Sequence, residues 1–313
     1  MTAIDARIGG LTVADLQMSP RKRRRERTMR LVFLGGGWMS IVVTFLIILT
    51  LFREAIGFLG EIELNQLTDI GWFPRRGMYD ISTLVVGSLL VAAIAMAVAV
   101  PLGLACAVYL SEYAKPSVRR RIKPILELLA GIPSVVLGFF AIAFITPELL
   151  ERLDSGVAFF NLAAAGIAVG ILTLPLVASV SEDAMRAVPI ALREAAYGLG
   201  SRKLAVATKV VFPAAISGIV AAFIIGLSRA IGETMVVAIA SGATGGSLFS
   251  TDVFKPGQTM TAAMAALGTG TDQVKGDDAA SQSLFFIGTL LFIITFALNV
   301  VGDWYVRRVR ERY

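Results

Sequence analysis

Six stretches of this chain, 31–52, 81–110, 125–146, 157–180, 210–241 and 284–305, are apolar for at least 22 residues each and contain almost no ionisable side chains. A helix needs only about 20 such residues to cross the ~30 Å hydrocarbon layer of a bilayer. Six of them in 313 residues leave little for a soluble domain, so the expected fold class is all-α, a polytopic membrane protein of about six transmembrane helices. Only 17% of the residues are charged, against roughly 25% in soluble domains.

Segment 31–52 follows the run Arg21-Lys22-Arg23-Arg24-Arg25-Glu26-Arg27, the way a signal peptide can begin. Its charge-free stretch exceeds the ~7–15 apolar residues of a cleaved signal, so it reads as a retained first span. The connections test this map. Lys plus Arg counts in successive connections run 8, 3, 5, 1, 5, 2 and 4, alternating without exception. The positive-inside rule then places both termini in the cytoplasm. It also accounts for the net charge of +6 as a topology signal and contact with lipid headgroups, not nucleic-acid binding. The expected organisation is a basic tail over 1–30, a first span with outer loop over 31–80, and a five-span core over 81–306. A cytoplasmic loop at 181–209 lies within that core, and a short tail at 307–313 closes the chain.

The chain has one cysteine and no histidine, which excludes an internal disulfide, His/Cys metal centres and histidine-based catalysis within it. No cofactor is expected. No Gly-Lys dipeptide occurs, so a phosphate-cradling G-x-x-x-x-G-K-[ST] loop is absent and any ATP must be bound by another subunit.

Three ionisable groups lie inside apolar segments: Glu127, Arg229 and Glu233. Glu127 stands near the cytoplasmic end of its segment and reads as a solvated helix-end carboxylate. From Pro213 to Ser241 a continuous helix would be about 43 Å long, placing Arg229 near mid-depth and Glu233 one turn further out on the same face. A charge at the centre of a span costs about 2.5–3.5 kcal/mol on insertion scales. Such a pair either seals two helices together or faces a wet solute path. A guanidinium in such a path favours oxyanions. Glu233 would orient it and accept a hydrogen bond from a protonated oxyanion, favouring hydrogen phosphate over sulfate. Two breaks fit a path: Gly131-Ile132-Pro133-Ser134 and Thr173-Leu174-Pro175 are expected to interrupt the third and fourth spans, with Ser134 a candidate solute contact. Gly166-x-x-x-Gly170 reads as a close helix-packing site.

The loop 181–209 is rich in helix formers after Pro189 and is broken by Gly198 and Gly200, which predicts a short helix presented to a partner groove or to lipid. Glu194-Ala195-Ala196, then Gly200, then Val210-x-Phe212-Pro213 resembles the EAA loop of bacterial ABC importer permeases, with Val210 and Phe212 where the family has Ile and Leu. More of the chain, roughly 80–305, resembles the phosphate-specific permeases of the Pst system. The matching pieces include Leu129-Ala-Gly-Ile-Pro-Ser-Val-Val-Leu-Gly138 and Ser228-Arg-Ala-Ile-Gly-Glu-Thr-Met235. Gly232–Gly242 and Thr259-Met-Thr-Ala resemble the PstC branch more than PstA. The resemblance implies a type I ABC importer permease (MetI-like) core in the bacterial cytoplasmic membrane. It implies a PstA-like second permease, two PstB-like ATP-binding subunits and an external PstS-like phosphate-binding protein. It also implies that Arg229 and Glu233 line the phosphate path and that Glu194, Ala195, Ala196 and Gly200 couple to the ATPase. From the residues alone, sulfate, molybdate or phosphonate remain open as cargo, as does an ion-coupled secondary carrier.

Overall fold

The computed structural model describes residues 20–68, 71–242, 246–270 and 278–309. Most of the basic tail at 1–30 and the last four residues of the tail at 307–313 lie outside them. The chain divides into two compact units, Met1–Arg53 and Glu54–Tyr313. In the first, helix α1 (Pro20–Glu61, whose last turns belong to the second unit) carries segment 31–52 without a break. Its apolar side chains, including Leu31, Phe33, Trp38 and Phe45, are exposed. A helix apolar all round and uncovered is what lipid, not water, would solvate.

In the second unit, α2 (Ile81–Val108) and α5 (Leu162–Arg186) form the central pair. Asp80 caps α2 by accepting the Ser82 amide at 2.9 Å, and Asn161 caps α5 by accepting the Ala164 amide at 2.7 Å. Cap chemistry thus starts α5 at residue 162, not at 157 as hydropathy alone suggests. The expected small-residue seam is present. A Cβ at Gly166 would lie 2.7 Å from Ile94 Cβ, and one at Gly170 would lie 2.8 Å from the Ala95 carbonyl oxygen. Only glycine lets α2 approach this closely.

The break at Gly131–Pro133 is real. Helices α3 (Pro116–Ala130) and α4 (Ser134–Phe140, wound on to Leu150 as a π-helix) meet at 85°. The expected interruption at Thr173-Leu174-Pro175 is not there, because α5 runs unbroken through Pro175. Proline removes a single ladder bond, and the dense packing of α5 against α2 holds the helix straight through the loss.

After α5 come α6 (Ile190–Gly198), α7 (Lys203–Val206) and a π turn into α8 (Phe212–Ala214). Next come α9 (Ile216–Ile231), bent 69° from the preceding segment, and α10 (Met235–Ala240). Helix α11 (Met260–Gly268) is largely buried, and α12 (Asp278–Val309) closes the described fold. Among the described residues, four helices are long and apolar enough to span a membrane, or six if each bent pair counts as one crossing.

The fold is not wholly helical. Strands β1 (Gly71–Phe73), β2 (Met78–Tyr79) and β3 (Ser247–Leu248) form a small antiparallel sheet in the order β2-β1-β3. This sheet joins two of the three acidic connections, 53–80 and 242–283. Two of the basic connections, 111–124 and 181–209, meet each other elsewhere, where Lys123 pairs with Asp183 at 2.8 Å and Arg193 with Glu112 at 3.1 Å. For these four connections, sorting by charge matches sorting in space.

Candidate functional site

Arg229 sits in the last turn of α9, where the helix dipole favours a cation. Arg229, exposed on this chain, lines a cavity of about 200 Å³ between α3, α5 and α9, walled also by Glu127, Pro175, Ser179, Leu126 and Leu172. That volume accommodates several waters or one small tetrahedral anion. Among the described residues no carboxylate forms an ion pair with Arg229. Pro175 contributes to the wall without breaking α5. Because it has no amide hydrogen, the Ile171 carbonyl one turn earlier loses its helical partner beside the cavity.

The expected i, i+4 geometry of Arg229 and Glu233 does not form. Helix α9 stops at Ile231, Gly232 ends it, and Glu233 lies in the short link before α10. There its Oε1 accepts the Val236 amide at 3.5 Å and its carbonyl accepts the Thr261 hydroxyl at 2.7 Å. Glu233 thus stitches α10 to α11. Glycine directly after the last periodic residue was the available signal for this stop. Ser134 opens α4 at the 85° bend, half-buried, and does not line the Arg229 cavity. The residue that does share it is Glu127, which is exposed near the end of α3, as expected of a solvated helix-end carboxylate, and also lines the cavity. The bend after Ala130 turns α3 so that this carboxylate borders the cavity.

The second candidate region is α6. Glu194 and Ala195 are exposed, while Ala196 packs into a cluster with Val188, Val206 and Val211. The Ser201 amide donates to the Ala196 carbonyl at 3.0 Å and the Gly200 amide to the Tyr197 carbonyl at 2.9 Å. With Gly200 at φ +79°, this is a Schellman cap, and its left-handed residue explains a glycine four positions after Ala196. Beyond the cap, Leu199 is 88% exposed, and Ile190 at the other end of the helix is 69% exposed. Apolar side chains raised on a rigid, capped helix form a surface suited to a partner groove.

Two supporting clusters escaped the sequence reading. Arg193, one residue before Glu194, donates to the Val188 carbonyl at 2.6 Å, the Met185 carbonyl at 2.8 Å and Glu112 Oε1 at 3.1 Å. It ties α6 to the end of α5 and to the π turn Tyr109–Tyr113 that continues α2. Glu182, fully buried on α5, faces Arg119 at 2.6 Å and Lys123 at 3.1 Å, both from α3. These long-range pairs leave no local pattern from which they could be inferred.

Residues 99–313, more than half of the chain, match the family described as binding-protein-dependent transport system inner membrane component. The chain belongs to that family. Among curated relatives, the phosphate transport system permease protein PstC of Mesorhizobium japonicum is 31% identical over 307 residues, covering 92% of this chain and 89% of the relative. PstC of Xylella fastidiosa is 31% identical over 259 residues, and the probable ABC transporter permease protein YqgH of Bacillus subtilis is 31% identical over 241. Among solved structures, a bacterial ABC transporter involved in import of the polysaccharide alginate aligns with TM-score 0.60 at 14% identity, covering 92% of this chain and 100% of that one. An inward-facing MetNI methionine transporter aligns with TM-score 0.52 at 20% identity, over 74% and 94%. Those likenesses establish the MetI-like permease fold, and with the family and the apolar helices they make this a multi-pass inner-membrane component.

Proposed function

We propose that this chain is the PstC-like transmembrane subunit of an ATP-driven importer and passes inorganic phosphate across the cytoplasmic membrane. The extensive similarity to PstC permeases supports the cargo. The observation that carries the reading within this chain is Arg229, a guanidinium without a paired carboxylate among the described residues, bordering a cavity between three helices. In that setting an arginine offers a tetrahedral oxyanion two parallel hydrogen bonds and a compensating charge.

The remaining parts follow from the same reading. A PstA-like chain completes the pathway, two PstB-like subunits bind ATP, and a PstS-like protein delivers phosphate on the side of the small sheet. The α6 end faces the cytoplasm, as do both termini, and Glu194, Ala195, Ala196 and Gly200 form the contact with the ATPase. Closure of the ATPase pair pulls on α6 and shifts the helices toward an outward-open state. ATP does this only to the extent that it binds the closed pair more tightly. Ser134 and Glu233 act from the helix breaks around the path, Ser134 as a solute contact and Glu233 by fixing the link beyond Arg229. Hydrolysis takes place in the partner subunits, not in this chain.

The test is phosphate uptake in cells lacking the gene, complemented with wild-type or Arg229→Gln. Restored uptake by wild type and loss of at least tenfold by the variant, with the complex still assembled, is expected. Equal uptake by the two removes Arg229 from the path, and uptake of sulfate instead of phosphate replaces the cargo.

A further inference from the structure

A second cavity, of about 470 Å³, opens at the α6 end of the second unit, beside the start of α3. Arg119, Arg120, Lys123 and Arg186 line it. Glu182 and Asp183 absorb much of the charge of Arg119 and Lys123. Arg186 Nε reaches Glu182 Oε1 only at 4.0 Å, and Arg120 forms no ion pair among the described residues. The cavity is therefore net attractive to anions. Glu127 is the one residue that lines both this cavity and the Arg229 cavity. A carboxylate thus stands between two places where an anion is stabilised.

We infer that Glu127 is an electrostatic check that keeps phosphate from moving passively between the two cavities. This rests on the reading of Arg229 as an oxyanion contact. Glu127 is exposed on this chain, and an anion passing directly from Arg229 to Arg120 or Arg186 comes beside it, where like-charge repulsion opposes the passage. Glu127 is carried near the end of α3, the shorter arm of an 85° bend, while Arg229 and Pro175 stand on α9 and α5. Movement of α3 against α5 and α9 would withdraw the carboxylate and lower the barrier. The check is therefore built to yield when the partner ATPase drives the helices. From the α6 side no external binding protein screens what enters, so this carboxylate would be the permease's own barrier against anions returning from that side.

The experiment uses the complete transporter reconstituted in vesicles loaded with radiolabelled phosphate, without ATP. Efflux is measured for wild type, Glu127→Gln and Glu127→Asp, alongside efflux of a neutral polyol of similar size. Glu127→Gln should raise phosphate efflux roughly tenfold while leaving polyol efflux unchanged, and Glu127→Asp should stay near wild type. Unchanged phosphate efflux in Glu127→Gln overturns the inference, and so does an equal rise for the polyol, which would mean a steric leak. ATP-driven uptake by Arg229→Gln is measured in parallel. If it is normal, the reading of Arg229 fails; if it is lost while Glu127→Gln does not leak, only the check fails.

Discussion

Replacing Arg193 with Met should loosen α6 from the ends of α5 and α2 to which Arg193 ties it. Arg193 is 17% exposed and its partner Glu112 only 5%, so the ion pair is largely withdrawn from water. The substitution keeps much of the side chain's apolar bulk but removes the donors to the Met185 and Val188 carbonyls and to Glu112. Glu112 keeps a single hydrogen bond, from the Ser111 hydroxyl at 2.8 Å. Removing one member of a buried pair costs about 3–5 kcal/mol. The residual exposure of Arg193 and the retained Ser111 bond favour the lower end, about 3 kcal/mol, which corresponds to roughly a hundredfold in a local opening equilibrium. Hydrogen exchange of the amides from Ala195 to Ser201 should therefore accelerate by on the order of a hundredfold, while exchange in the middle of α5 stays as in wild type. Phosphate transported per ATP hydrolysed should fall in the same variant, because motion at α6 no longer reaches α2 and α5. Adding Glu112→Gln should restore part of the protection, since the double variant no longer leaves a charge buried without its partner. Exchange over 195–201 within a few-fold of wild type would refute the reasoning, whatever the transport rate.

Three further outcomes are expected. Gly200→Ala, at φ +79° with no neighbouring atom within 4 Å, should cost about 1–2 kcal/mol through backbone strain alone, and Gly200→Asn less, read as frayed exchange at the end of α6 and a lower ratio of transport to ATPase activity. Glu182→Gln removes a fully buried carboxylate from Arg119 and Lys123; because those cations are each about a quarter exposed, a loss of roughly 2 kcal/mol is expected, seen as a lower thermal unfolding midpoint of the purified complex. Gly170→Val places side-chain atoms where even a Cβ would lie 2.8 Å from the Ala95 carbonyl oxygen, so α2 and α5 must separate and the assembled complex should be scarcely recoverable from membranes, whereas Gly198→Ala, with no neighbour within 4 Å, should assemble normally.

How much of this was legible in the sequence depended on how local the controlling physics was. Hydropathy run length located the helices, and the charge of each connection predicted which connections share an end, because insertion acts on each segment nearly independently. The cap at Gly200 was legible as the end of a short helix, since a left-handed residue there needs only glycine and its neighbours. The start of α5 was misplaced by five residues because hydropathy does not distinguish an apolar loop from a helix, whereas the Asn161 side chain does. Pro175 was overread: the packing of α5 on α2, which keeps the helix whole, involves residues some seventy positions apart.

The same distinction explains why the sequence paired the wrong carboxylate with Arg229. Spacing of four joins Arg229 to Glu233 only while the helix continues, and Gly232 stops it one residue too soon. Glu233 is then more useful holding α10 and α11 together than balancing a guanidinium. Glu127, about a hundred positions earlier, reaches the cavity because Gly131 and Pro133 fold α3 back against α5. The helix break first noticed as a mark of a solute path thus also sets where Glu127 stands. A carboxylate carried on a bent arm can be moved relative to Arg229, which one fixed a single turn away on the same helix could not. Under the proposed function, a path alternately closed and opened needs charges that can be separated in this way.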